Sequence, residues 1–457
     1  MKKEINAKME NIISLCKRRG FIYQGSEIYG GLAGTWDYAP LGLALKNNIK
    51  NLWWKKFVTD REDMYGVDAA ILMNQKVWKA TGHVGGFSDP LAECKKCKKR
   101  FRTDQLDDPK KCADCGGEMG EERQFNMLFK TSVGAIESDE SISYLRPETA
   151  QGMFVNYKNI IDSFHPKLPF GMGQIGKAFR NEIAPRDFIF RTREFEQMEI
   201  EYLVRPEGWQ DSFEHFRKEM LDWTKEIGLD SSHVYEHEIS DEDRAFYSKR
   251  TIDFEFDFPF GKSELYGLAY RTDYDLSRHS TSSGIDLMYM DEDTKEKFTP
   301  HCIEPSFGVD RTVLAVLSDA YTEDDLGLKL SGDSSPEHLE KGVVGGEKRV
   351  YLKFSSNVAP IKIAVFPLLK NKPQLVEKAK EVYKILKKEF GAVMFDDNGN
   401  IGKRYRRQDE IGTPYCITID FDTIEKDSMV TLRDRDTGNQ ERVVIEKLVD
   451  FLKTKII

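Results

Sequence analysis

Residues 171–201, GMGQIGKAFRNEIAPRDFIFRTREFEQMEIE, hold a high density of groups able to do chemistry. Arg180, Arg186, Arg191 and Arg193 fall within one short span, and guanidinium groups so spaced suit a polyphosphate or nucleic-acid phosphates. The stretch alternates in two runs. Gln174, Gly176, Ala178 and Arg180 share one face of the first, and Phe195, Gln197, Glu199 and Glu201 share one face of the second. That pattern predicts two strands joined by a long mobile loop containing Pro185. The charges that alternate inward are Arg180, Glu182 and Glu199. A core does not hold unpaired charge cheaply, so the face carrying them borders a ligand cavity. The plainer reading is a surface hairpin laced with salt bridges.

A second cluster is sulfur. Cys94-x-x-Cys97 and Cys112-x-x-Cys115 are separated by 14 residues, a spacing that lets four thiolates converge on Zn²⁺. Four sulfurs leave no open coordination position, so the zinc is structural. Lys95, Lys96, Lys98, Lys99, Arg100 and Arg102 flank it, either to touch nucleic acid or to offset the negative tetrathiolate. His83 nearby reads as an ordinary polar contact and not as a ligand. A third feature is HCIEPSFGVDR, 301–311, in which a strand carrying Glu304 and Ser306 meets Gly308 and then a helix with Arg311 in its first turn. Such a helix start is a natural seat for negative charge.

These groups need a scaffold. The 457 residues allow two or three domains, and 40% hydrophobic with 32% charged residues is ordinary globular composition. Net charge is −9, which argues against a sequence-blind nucleic-acid binder. From Ile361 onward, 19 Lys and Arg face 16 Asp and Glu, a balance of +3 that leaves −12 elsewhere. No stretch approaches the ~20 apolar residues of a membrane span, no signal peptide is evident, and the cysteines form no disulfide framework; the expectation is cytoplasmic. Residues 5–19 predict an amphipathic helix, and a strongly apolar helix holds Leu45, Ile49, Leu52, Trp53 and Phe57. Its apolar stripe needs the domain's own sheet or a second subunit. Residues 207–226 read as a surface helix, 251–290 as strands, 322–348 as a polar excursion, and 355–360 as a linker. Beyond it, alternating strands and helices imply a small mixed or parallel sheet covered by helices. There Lys403, Arg404, Arg406 and Arg407 crowd a loop beside Gln408, Asp409 and Glu410.

FRNEI (179–183), EPSFGVDR (304–311) and YGGLAGTWDYAPLG (29–42) match the second, third and first motifs of class II aminoacyl-tRNA synthetases. RPETAQG, GKSELYGLAYRTDYDLSRH and IGKRYRRQDEIGTPYC narrow the match, and over nearly its whole length the sequence resembles the homodimeric glycyl-tRNA synthetases. The third motif departs from the broad class form by having Asp310 before Arg311. The resemblance implies an α+β fold: a six- to seven-stranded antiparallel catalytic domain over 1–355, a zinc-binding insertion at 75–145, and an anticodon-binding domain over 356–457.

It also implies an activity, the ATP-dependent activation of glycine and its transfer to the 3′ end of tRNA(Gly). The alternative is a non-catalytic relative that binds nucleic acid or assembles with another protein. By the resemblance Arg180 spans the glycine carboxylate and α-phosphate, and Asn181 and Glu182 belong to the ATP site, with Glu182 reading adenine. Phe195 stacks on the base, while Arg191 and Arg311 clamp the outer phosphates and Glu264 holds Mg²⁺. Arg180, Arg311 and Glu264 are the catalytic set. Glu148, Glu199 and Glu304 surround the glycine ammonium, with Ser306 near the α-carbon, and Lys403, Arg404, Arg406 and Arg407 contact tRNA. The implied partners are tRNA(Gly), ATP, glycine and a second copy of the chain, with no membrane.

Overall fold

The computed structural model describes residues 2–136, 138–245, 247–324, 348–426 and 428–456, with side chains from Ala7 onward. Helix α1 (Lys2–Arg19) buries Ile12, Leu15 and Cys16. Helix α2 (Pro40–Trp54) starts on a proline, whose missing N–H costs nothing in a first turn. Its Leu45, Ile49 and Trp53, with Phe57 just beyond, are fully buried in the central core. The chain leaving α1 crosses α2 at Gly42, where a Cβ would stand 1.9 Å from the Phe21 carbonyl oxygen. The apolar stripe of α2 therefore has its partner within this chain.

That partner is a seven-stranded sheet of β1 (Met64–Gly66), β2 (Phe170–Phe179), β3 (Glu194–Val204), β4 (Val234–Glu238), β5 (Arg250–Phe258), β6 (Gly261–Thr272) and β7 (His301–Gly308). The spatial order is β4-β5-β6-β7-β3-β2-β1. Pairing is antiparallel except at the edge, where β1 runs parallel to β2. In register, Gln174 faces Glu199, Glu199 faces Ser306, and Ser306 faces Gly267, while Glu304 faces Ala269. Period-two alternation thus gathers side chains from four strands on one face. The other face is sealed by α2, α3 (Trp209–Glu226) and a helix that continues β7, α5 below. Helix α3 was expected at the surface, but Phe213, Phe216, Met220 and Trp223 fix one side of it on the sheet.

Residues 251–290 are not strands throughout, because Tyr274–Ser283 form helix α4. An ion pair from Arg271, the last inward residue of β6, to Asp275 ties the strand's end to the first helical turn. Helix α5 (Val309–Ala320) follows β7 directly. The loop 180–193 is anchored and not loose: Phe188 and Ile189 are buried, Phe188 meets the Trp36 ring edge-on at 4.7 Å, and Arg193 Nη1 donates to the Ala33 carbonyl at 2.6 Å. Strands Ser88–Glu93, Arg100–Arg102 and Arg123–Asn126 form the small sheet of the cysteine-bearing insertion. The ends of the polar excursion pair as Tyr321–Asp324 with Arg349–Leu352, and 325–347 lie outside the described residues.

The C-terminal sheet comprises β8 (Ile363–Pro367), β9 (Val393–Phe395), β10 (Tyr415–Ile419), β11 (Met429–Asp434) and β12 (Gln440–Val444), in the order β9-β8-β10-β11-β12. Its first three strands are parallel and the rest antiparallel, with helices α6 (Pro373–Phe390), α7 (Ile401–Glu410) and α8 (Leu448–Ile456). The expected linker is packed: Val358 and Ala359, with Phe354 just before it, are buried in the same core as the seven-stranded sheet. The basic cluster expected on a loop lies on α7, whose first turn is capped by Asn400 Oδ1 accepting from the Lys403 N–H at 2.9 Å.

Candidate active site

The face that collects the inward charges borders a cavity of about 480 Å³. Arg180, Glu182, Arg191, Phe195, Glu264 and Arg311 line its outer part, and Glu148, Glu199, Glu304 and Ser306 line it deeper down the sheet. Asn181 is not among the lining residues, and its backbone N–H is spent on the Met127 carbonyl at 2.8 Å. Residues distant in sequence are thus brought together, as the strand alternation requires.

Arg180 follows directly on β2. Its Nε donates to the Pro147 carbonyl at 3.0 Å, and its guanidinium carbon lies 5.4 Å from the Phe87 ring and 5.2 Å from the Phe195 ring. Among the described residues it has no carboxylate partner, so its charge is available to the cavity. Phe195 braces this arginine. Arg191 Nε sits 3.2 Å from Glu182 Oε2. Arg311 Nη1 lies 3.0 Å from the Glu264 backbone oxygen and 3.0 Å from its Oε2, with Phe190 beneath the guanidinium. The Arg311 guanidinium holds the Glu264 carboxyl below its usual range. Asp253 also lines the cavity, and burial together with the Glu264 charge pushes its carboxyl up to about 7. Two such carboxylates are a hard-oxygen donor set that fits Mg²⁺.

The deep end is a carboxylate cluster with a buried arginine behind it. Glu199 Oε1 accepts from Ser306 Oγ at 2.8 Å and from Gln197 Nε2 at 2.7 Å, and Thr149 donates to Oε2. Arg271 Nη1 donates to Glu304 at 2.6 Å, and its Nε and Nη2 hold Asp275 at 2.8 and 2.9 Å. Gln151 bridges Glu148 and Asp275, and His83 Nε2 lies 3.3 Å from Glu148 Oε2. Burial would raise the Glu148 carboxyl, yet His83 and Arg271 hold it well below the usual range. Glu199 goes the other way, raised by burial and by the Glu148 charge. Burial pushes Glu304 up to about 8 against the pull of Arg271. The cluster has more carboxylate than cation, which is the electrostatics of a site for a small ammonium.

Sequence reasoning missed Arg271, Gln151 and Tyr247, whose ring lies 4.0 Å from the Arg271 guanidinium carbon. For Arg271 a signal existed, since it alternates with Gly267 and Ala269, which pair with Ser306 and Glu304 on the same face of the sheet. Arg146, placed at the same turn as Glu148, is buried and donates to the Lys177 and Ala69 carbonyls.

The raised Glu304 carboxyl has a thermodynamic consequence. The fold keeps its proton above pH 4.5, where the unfolded chain releases it, so the native state binds more protons in between. That contribution to stability is complete below about pH 4.5 and lost as the pH rises through about 8, with a slope of at most about 1.4 kcal/mol per pH unit. Glu304→Gln should flatten the fall between pH 5 and 8 in denaturant melts; parallel curves for variant and parent would refute this.

In the insertion, Cys94 Sγ lies 3.6 Å from Cys115 Sγ, Cys97 Sγ lies 3.6 Å from Cys112 Sγ, and all four sulfurs are within 4.8 Å of one another. A tetrahedral Zn²⁺ with bonds of about 2.3 Å needs sulfurs roughly 3.8 Å apart, so the set fits zinc. The flanking cations are largely paired within the insertion, Lys95 with Glu118, Lys99 with Asp114, Arg100 with Glu93, and Arg102 with Asp89 and Asp104. Metal analysis of the purified chain should find about one zinc per chain, and Cys97→Ser should lose it. Less than half an equivalent in the parent, with thiols reduced, would count against the site.

In the C-terminal domain the structure corrects one expectation. Arg404 is buried and donates to the carbonyls of Pro367, Asp397 and Gly399, so it holds a loop and offers nothing to a phosphate. Gln408, Asp409 and Glu410 are likewise buried, and Asp409 accepts from Arg433 at 2.7 and 3.0 Å and from Arg349 at 3.3 Å. They cannot read bases. Lys403 and Arg406 are exposed, and Arg407 is half-buried beside Asp396 at 2.7 Å.

A mostly antiparallel sheet with arginines at one end of its cavity and carboxylates at the other, followed by a mixed-sheet C-terminal domain, is the architecture of a class II aminoacyl-tRNA synthetase. The class II core model for the G, H, P, S and T enzymes matches residues 129–320, and the anticodon-binding domain model matches 362–455. A prolyl-tRNA synthetase from Cryptosporidium parvum superposes with a TM-score of 0.65 over 97% of this chain and 77% of its own, at 14% identity, which speaks for the fold. Glycine–tRNA ligases are far more similar in sequence. That of Clostridium acetobutylicum is 49% identical over 98% of both chains, and that of Caldanaerobacter subterraneus subsp. tengcongensis 48% identical over 99% of both. The chain belongs to the glycine–tRNA ligase family.

Proposed function

We propose that the cavity activates glycine with ATP and passes the glycyl group to tRNA(Gly), with roles divided along the sheet. The observation that carries the reading is the deep end, where Glu148, Glu199 and Glu304 converge beside Ser306 in a space lined by Arg180 at its mouth. A ligand there is a small ammonium with a carboxylate pointing outward. The carboxylate attacks the α-phosphorus of ATP in line, a P–O bond forms, the bond to the bridging oxygen breaks, and pyrophosphate leaves with the electron pair. A terminal ribose hydroxyl of tRNA then attacks the carbonyl carbon and AMP departs. Neither step needs a side-chain nucleophile; both need charge neutralisation and alignment.

Arg180 neutralises the α-phosphate, Arg191 and Arg311 the outer phosphates, and Phe195 and Glu182 take the base. Glu264, with Asp253 beside it, would hold Mg²⁺, which supplies further neutralisation of the phosphates when bound. Pyrophosphate exchange without tRNA tests the reading: exchange with glycine and not with alanine or proline is expected, and none with glycine from folded, Mg²⁺-supplied protein would overturn it.

A homodimer is proposed on the exposure of Ile28 and Tyr29, which are 90% and 88% accessible in the chain alone. Among the described residues no helix is long and apolar enough to cross a membrane. Action in the cytoplasm follows from the proposed reaction, which needs tRNA and ATP. The tRNA contact is proposed for Lys403, Arg406 and Arg407. Changing all three to alanine should lower charging about tenfold or more and flatten its salt dependence, while exchange stays within about twofold. Equal losses in both assays would refute this assignment.

A further inference from the structure

The segment that leads to the four cysteines packs behind Glu148 at the deep end of the cavity. His83 opens the helical turn His83–Gly86 and is buried with both ring nitrogens engaged. Nδ1 lies 2.7 Å from Thr81 Oγ1, and Nε2 lies 3.3 Å from Glu148 Oε2. Thr81 is itself fixed, since its hydroxyl also reaches the Val77 carbonyl at 3.1 Å. Trp78 meets the imidazole edge-on at 5.4 Å and Phe87 lies 5.6 Å away. The turn is clamped from the returning strand by Asn126, whose Nδ2 donates to the carbonyls of His83 and Val84 at 3.3 and 2.9 Å. Phe87 is the ring that faces the Arg180 guanidinium.

We propose that His83 is a positioning residue for glycine recognition, fixing the Glu148 carboxylate by a ring held between Thr81 and Glu148. This rests on the reading of Glu148 as a carboxylate for the glycine ammonium. Glu148 has two oxygens to place. Gln151 takes Oε1 at 3.0 Å and His83 takes Oε2, so the plane of the carboxylate is set from two directions. With His83 removed, one oxygen loses its partner and the carboxylate turns about its last bond. The ammonium then meets a misplaced acceptor at one of its three sites. The phosphate end meets this ring only through Phe87, a contact that a ring of similar size keeps, so ATP binding is spared.

The test compares His83→Phe, which keeps ring volume and the contacts with Trp78 and Phe87, with His83→Gln, which restores a donor toward Glu148. In pyrophosphate exchange, His83→Phe should raise the glycine KM about tenfold or more, with the ATP KM and kcat within about twofold, and His83→Gln should recover part of the loss. A glycine KM within twofold of the parent, or an ATP KM rising in parallel, would overturn the proposal. If His83→Phe does not fold, Thr81→Val serves, because it frees the far side of the ring. A smaller rise in glycine KM is expected there, and no change would overturn the proposal. The parent is assayed first: absence of glycine exchange in it refutes the reading of the pocket, whereas parental exchange with an unaffected His83→Phe refutes this inference alone.

Discussion

Arg180→Lys is expected to lower glycine-dependent pyrophosphate exchange by about two to three orders of magnitude, with thermal stability close to that of the parent. The guanidinium is held flat by Phe87 and Phe195 while Nε is spent on the Pro147 carbonyl. That leaves the two terminal nitrogens, in a fixed plane, for the cavity. In the proposed first step, negative charge gathers at a phosphorus flanked by an attacking carboxylate. A planar fork can touch both groups at once without reorganising, which is why its contribution exceeds that of an equal charge on a flexible stem. Lysine keeps the charge but loses the second donor, and its ammonium is not confined by the two rings. Because Arg180 has no carboxylate partner among the described residues, its replacement strands no buried anion. The loss should therefore fall on kcat. A rate within about fivefold of the parent would show that the arginine only fills space.

The parts of this site legible in the sequence were those written in short-range periodicity. Arg180, Glu199, Glu304 and Ser306 lie at alternate positions of strands whose registers bring them onto one face, and the helix bearing Arg311 follows β7 directly. Sequence alone could not show which charges are already paired. Arg404 sits in a run as basic as its neighbours, yet three backbone carbonyls claim it once Asn400 starts a helix there. His83 was read as an ordinary polar contact, which it is, but its partner is 65 residues further along the chain. The loop after Arg180 looked free because its arginines are polar. Its anchors are two of the apolar residues between them, Phe188 and Ile189, and Trp36, which meets Phe188, comes from far upstream.

Arg271→Met should be the most destabilising single change near the pocket, at about 3–5 kcal/mol. Arg271 is 1% exposed, and three of its nitrogens are committed to Asp275 and Glu304, with the Tyr247 ring on its flat face. Methionine can fill much of the volume, so the cost is not a cavity. It is electrostatic. Asp275 loses its cation, and Glu304, whose carboxyl already stands at about 8 beside Arg271, loses a donor, inside a cluster that also holds Glu148, Glu199 and Glu201. Glu201 is fully buried, and one of its oxygens has no hydrogen-bond partner, so the cluster has no spare donor with which to answer the loss. The double variant Arg271→Met with Asp275→Asn separates charge from packing. If the stranded charge dominates, denaturant melts at neutral pH will show it recovering part of the lost stability. Recovery of stability without recovery of glycine exchange is the expected pattern. A single-variant loss below about 1 kcal/mol would mean that the carboxylates relax into water more readily than their burial implies.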